Sequence, residues 1–137
     1  MFFQFDYSKY NTDSIVYVNL VGTLEHDQDF KLLTDHWLAL YKLKKQFIFV
    51  FMTEHIEFVH FKFCFKMAMF IYTLKQLPVH YLNKSIFIIK QNYIRNLLYY
   101  IFYLQSPISD IYIIEKKDTL QSVLNNELDE SIIYISP

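Results

Sequence analysis

Residues 16–27 read VYVNLVGTLEHD and contain Gly22, the one glycine among 137 residues. The β-branched, apolar run Ile15–Val21 precedes it, and an acidic, helix-opening segment follows. Such a run reads as a strand. A lone glycine behind it marks a point where the backbone takes angles that cost other residues energy. We therefore expect the chain to turn out of a sheet at Gly22 and to enter a helix soon after.

Upstream, Phe2–Tyr7 is short, aromatic and roughly alternating, and the polar cluster Ser8–Ser14 separates it from Ile15. The two strands should form a hairpin. Downstream, Asp27 or Asp29 is expected to cap a helix. Its apolar stripe is Phe30, Leu33, Trp37, Leu40 and Tyr41, at 3.6-residue spacing. The basic residues Lys42, Lys44 and Lys45 suit that helix's C-terminus. Phe47–Met52 (FIFVFM) is a continuous apolar run, the pattern of a strand buried on both faces of a parallel sheet.

A second helix, apolar around much of its circumference, is expected from about Phe58 to Gln76, ahead of Pro78. Ser85–Ile89 reads as a strand, Tyr93–Leu104 as a helix capped by Asn92, and Ile111–Ile114 as a fifth strand. Asp118–Gln121 resembles a capping box opening a last helix to about Leu128. Ser131–Ser136 reads as a final strand or an extended tail. Strands alternating with helices of this length imply crossover connections. The expectation is one α/β domain: a mostly parallel sheet with an N-terminal antiparallel edge strand and about four helices. It spans residues 1–128, with 129–137 as a terminal strand or tail of the same domain.

Composition limits the function. The chain is 53 % hydrophobic and 20 % aromatic, which argues for a packed core. A net charge of −1 provides no overall field toward nucleic acid or acidic membranes. Arg95 is the sole arginine, poor equipment for bidentate phosphate or base contacts, so no nucleic-acid partner is expected despite the aromatic–lysine interleaving at Phe61–Lys66. Cys64, the one cysteine, forbids an internal disulfide and fits a reducing, cytoplasmic setting. Within FKFCFKM it reads as a small buried hydrophobe. No secretory leader is expected at the N-terminus. The longest apolar stretch, Met67–Tyr72, is far short of a bilayer span.

Chemical motifs are sparse. One glycine excludes both the dinucleotide-binding GxGxxG and the phosphate-binding P-loop, and no cofactor is expected. Paired-cysteine zinc sites are excluded too. The densest polar cluster is Thr53-Glu54-His55-Ile56-Glu57 with His60, expected as a loop and helix cap after a buried strand. His55-Ile56-Glu57 matches the short H-x-E of zinc deaminases but lacks their downstream cysteines. Ser85 lacks a nucleophile elbow. No catalytic residue and no metal ligand is assigned, and a non-enzyme is expected.

The order of elements resembles the STAS domain superfamily, that of the bacterial anti-sigma-factor antagonists. Val16–Glu25 is similar to the family's second strand and its G-x-L-D/E turn, and Phe47–Val59 to the hydrophobic strand and the loop into its second helix. Ser85–Lys90, Ile94-Arg-Asn-Leu-Leu98 and Ile111–Ile114 resemble the later elements. Phosphorylatable members open the second helix with D-S-S-G. Here His60, Phe61, Lys62 and Phe63 stand in its place, Met52 replaces the usual aspartate, and the phosphoserine switch is missing. The resemblance implies a non-catalytic protein-interaction or regulatory module that binds a protein partner or itself. Its partner surface would comprise Glu25, Glu54, His55, Glu57, His60, Lys62, Gln91 and Asn92. Phe58 and Phe61 nearby read as core residues or interface anchors, and Ser131–Ser136 as an edge for dimer pairing. The alternative is a carrier whose apolar segment Phe61–Leu74 lines a pocket for a lipid or small apolar ligand.

Overall fold

Three successive strand–helix–strand crossovers set the architecture. The computed structural model describes all residues 1–137. Its strands are β1 (Phe3–Asp6), β2 (Ile15–Leu24), β3 (Phe47–Val59), β4 (Leu82–Ile88), β5 (Asp110–Ile114) and β6 (Ile133–Ile135). The helices are α1 (Tyr10–Asp13, one turn), α2 (Asp27–Lys42), α3 (Lys62–Lys75), α4 (Asn92–Leu104) and α5 (Leu120–Leu124), the last preceded by a tight 3₁₀ turn at Lys117–Thr119. All six strands join one sheet in the order β1-β2-β3-β4-β5-β6. β2 to β5 are parallel, while β1 and β6 pair antiparallel at the two edges.

That unbroken order decides where the helices lie. Crossovers between parallel strands are right-handed, so three of them advancing in one direction deposit their helices on one face. Accordingly, Leu33, Trp37 and Leu40 of α2 and Leu74 of α3 pack on Val16, Val18, Phe47, Phe49 and Phe51. Phe63 of α3 and Ile94 and Leu98 of α4 pack on Ile56, Ile111 and Ile113. The alternate residues of the same strands, Ile15, Val50, Ile86, Tyr112 and Ile114, point to the other face, where Leu120 and Val123 of α5 cover them. In FIFVFM, Phe47, Phe49 and Phe51 are buried under the helix layer, whereas on the other face Val50 is buried but Ile48 and Met52 are only half-buried, because one short helix and the C-terminal segment cover it.

Gly22 has φ +80, the left-handed value its identity predicts. It does not end the strand, however. β2 runs through it to Leu24, and the β2–β3 ladder slips between Asn19 and Val21 and again between Gly22 and Thr23. A bulge absorbs the unusual angle and lets pairing resume.

Other boundaries also move. Thr53–Glu57, expected as a loop, continues β3, because β2 still offers partners there after β4 has ended its pairing at Met52. This delays α3 to Lys62. Neither Asp27 nor Asp29 caps α2: His26 holds the cap position in extended conformation, and both carboxylates lie in the first turn. Asn92 is likewise the first residue of α4, behind Gln91. No side-chain cap opens α5, which stops at Leu124 rather than Leu128; Asn126 follows with φ 60. No helix is long and apolar enough to cross a membrane.

Candidate functional site

Parallel strands end at a common edge, and this brings the sequence-predicted surface together. Glu25 follows β2, Glu54, His55 and Glu57 lie on the protruding end of β3, His60 and Lys62 lead into α3, and Gln91 and Asn92 join β4 to α4. All are exposed except half-buried Lys62. His55 sits on β3, and His60 lies in the short link between β3 and α3. The His60 Nδ1 accepts the Lys62 backbone N–H at 3.1 Å, taking one of the free donors of the α3 N-terminus. Ion pairs stitch the margin: Lys62 and Lys66 reach Asp27 Oδ1 at 3.2 and 3.4 Å, and Lys90 reaches Glu54 at 4.0 Å. The hydrogen bond from Lys62 holds the Asp27 carboxyl below its ordinary range. Exposed pairs like these contribute little stability individually. No ion pair or side-chain hydrogen bond ties His55, Glu57 or Gln91 to another member.

Tyr93 closes the end of the β3 extension. Its hydroxyl accepts the Val59 N–H at 3.3 Å and donates to the Val59 carbonyl at 3.0 Å. Phe58 stacks on its ring with centroids 6.5 Å apart. Phe58 and Phe61 are about half exposed, so neither fills the core.

Behind this edge lies a second feature, between the three-helix layer and the sheet. A cavity of about 150 Å³ is lined by 26 residues, of which 23 are hydrophobic, so it is a greasy site and not a polar cleft. α2 contributes Leu33 and Trp37; α3 contributes Phe63, Cys64, Met67 and Ile71. The sheet adds Phe51 and Phe87, and α4 adds Leu98. Its few polar residues have little to offer. The Thr53 hydroxyl is already donated to the Ile88 carbonyl at 2.8 Å, and burial pushes the Cys64 thiol up, keeping it protonated. Sequence reasoning located the lining only as a segment, Phe61–Leu74. The usable signal within it was the i, i+4, i+8 series Phe63, Met67, Ile71, which faces the sheet.

No group of three or more His, Cys, Asp or Glu side chains gathers at metal-binding range. The site can therefore be described in two parts, a mixed-charge rim at the carboxyl edge and an apolar chamber beneath it. No protein-family model, curated protein or solved structure matches the chain.

Proposed function

We propose that the protein is a non-catalytic binding module whose interior holds a small, wholly apolar molecule between the α2–α3–α4 layer and the sheet. The cavity carries this reading. Protein interiors rarely keep voids larger than a water molecule. The apolar walls around this space of about 150 Å³ lack partner atoms on the cavity side and forgo the packing contacts of a filled interior. An occupant restores those contacts. The lining also selects its chemistry: nearly all of it is apolar, so a ligand carboxylate would go unpaired and be rejected. Aromatic or branched hydrocarbons of about benzene size are the fitting class; cavities of this volume with such linings stay dry and take up benzene or xenon.

Trp37, the only tryptophan, lines the chamber and serves as a built-in reporter. Titration with toluene should change its fluorescence saturably and raise the melting temperature with ligand concentration. A melting temperature and a fluorescence spectrum both indifferent to toluene and to pressurised xenon would refute the reading.

A second reading is a protein-interaction module of the kind the STAS resemblance implies, working without a phosphoserine switch. Its support is the gathering of Glu25, Glu54, His55, Glu57, His60, Lys62, Gln91 and Asn92 at one sheet edge. The test is a partner recovered reproducibly by cross-linking from the native source. Its capture should fail with Glu54→Lys and His60→Ala, and capture by both variants at full yield would remove this surface from consideration.

A further inference from the structure

We propose that the outer face of α3 and α4 is a self-association surface, on which a second copy of this chain docks across a two-fold axis. The inference is independent of the cavity. On the side of these helices away from the sheet, Phe61 and Phe65 touch edge to face at 5.3 Å, and Tyr100 lies 5.0 and 5.8 Å from their rings. Tyr103 continues the line from Tyr100 at 6.4 Å. Met69 and Tyr72 extend it from Phe65 at i+4 and i+7, the spacing of one helix face. These side chains are open to water: Phe61 50 %, Phe65 44 %, Met69 71 %, Tyr72 58 % and Tyr103 84 %.

At about 200 Å² per side chain, their exposed surface amounts to roughly 600 Å². Complete burial of these side chains in both copies of a two-fold pair would remove about 1,200 Å², the lower end of the range for a specific interface. A patch of this size stands at the upper end of what a typical monomer exposes, where such patches are often functional.

Charge identifies the occupant. α3 and α4 contain no Asp or Glu. Their cations are turned aside: Lys62 and Lys66 to Asp27, Arg95 to Glu115 at 3.3 Å, and Lys75 to the Ser106 hydroxyl at 2.6 Å. Docking on an anionic lipid surface draws on free lysines, and this face offers none at its centre. A second copy fits because it brings the same Tyr-, Phe- and Met-rich, uncharged centre typical of interfaces, with the cations of both copies turned toward its margins.

The test is sedimentation of the full chain across a micromolar concentration series. The expected result is a species of twice 16.7 kDa. Phe65→Glu and, separately, Tyr103→Glu should each weaken dimerisation at least about thirtyfold with unchanged far-UV circular dichroism. Tyr103 is the most exposed of the set, so its replacement spares the fold if Phe65→Glu does not. Tyr134→Glu, on the β6 edge, should leave the dimer intact. A monomer at every concentration would overturn the proposal, as would a dimer that ignores both α3–α4 variants or one dissolved only by Tyr134→Glu. So would a monomer that co-sediments with phosphatidylserine vesicles through this face.

Discussion

Replacing Cys64 with leucine should make the protein more stable, a result opposite to that expected for an ordinary core position. Cys64 is 1 % exposed on the cavity-facing side of α3. Its only polar engagement is a weak thiol contact with the Leu97 carbonyl at 4.0 Å. Leucine adds the equivalent of two carbons, worth about 1.6 kcal/mol at ~0.8 kcal/mol per buried methylene. Fixing the longer side chain returns about 0.5–1 kcal/mol, leaving a net gain near 1 kcal/mol. For a chain of this length that is a rise in melting temperature of about 4 °C. Urea unfolding followed by Trp37 fluorescence measures the change in free energy, with the slope checked for constancy. The filled chamber should also bind toluene less tightly. A well-packed site would respond with the reverse sign, losing about 1–3 kcal/mol to overpacking. A destabilised Cys64→Leu protein would therefore refute the existence of usable space there.

Gly22→Ala should cost about 1 kcal/mol in urea unfolding. No atom lies within 4 Å of the added Cβ, so the loss comes from the positive φ alone, partly offset by a stiffer unfolded chain. A neutral effect would mean the bulge relaxes. Asp27 should contribute to acid sensitivity. Its carboxyl titrates lower in the folded protein than in the unfolded chain, so the stabilisation is complete above the ordinary value of 3.8 and is lost as pH falls through the folded-state value. Asp27→Asn should flatten the acid limb of the pH–stability curve, and an unaltered limb would argue against the pairing with Lys62. Val123→Asp buries an unpaired charge at a fully enclosed position of α5. Hydrogen exchange should then accelerate in β4 and β5 before it does in α2.

The periodic elements were legible because one principle governed each. The α2 stripe Leu33, Trp37, Leu40 and Tyr41 is buried as its spacing predicts, and FIFVFM is a strand because continuous apolarity at that length leaves little alternative. The region Thr53–Val59 was misread because its alternation is broken. Two register slips opposite Asn19–Thr23 push the buried positions to Thr53 and Ile56, three residues apart, and the exposed Glu and His between them imitate a loop. The resemblance groups Glu25, Glu54, His60 and Gln91, and the structure sets them on or just beyond the carboxyl ends of β2, β3 and β4. The chamber was not legible in detail. Vacant volume is set by how rings from four elements meet, as where Phe51 stacks on Phe87 at 4.6 Å, and no single segment encodes that.

The uninterrupted strand order has a consequence for biosynthesis. Each strand finds its partner in the strand just before it, so no pairing step waits for sequence beyond the next strand–helix unit, although each parallel pairing still closes a separation of about 26–36 residues. A nascent chain leaving the ribosome N-terminus first can add one strand–helix unit at a time to a growing template, without waiting for distant sequence. The final units, α5 and β6, arrive last and seal the thinly covered face. Until they do, Val50 and Ile86 stand open to chaperones.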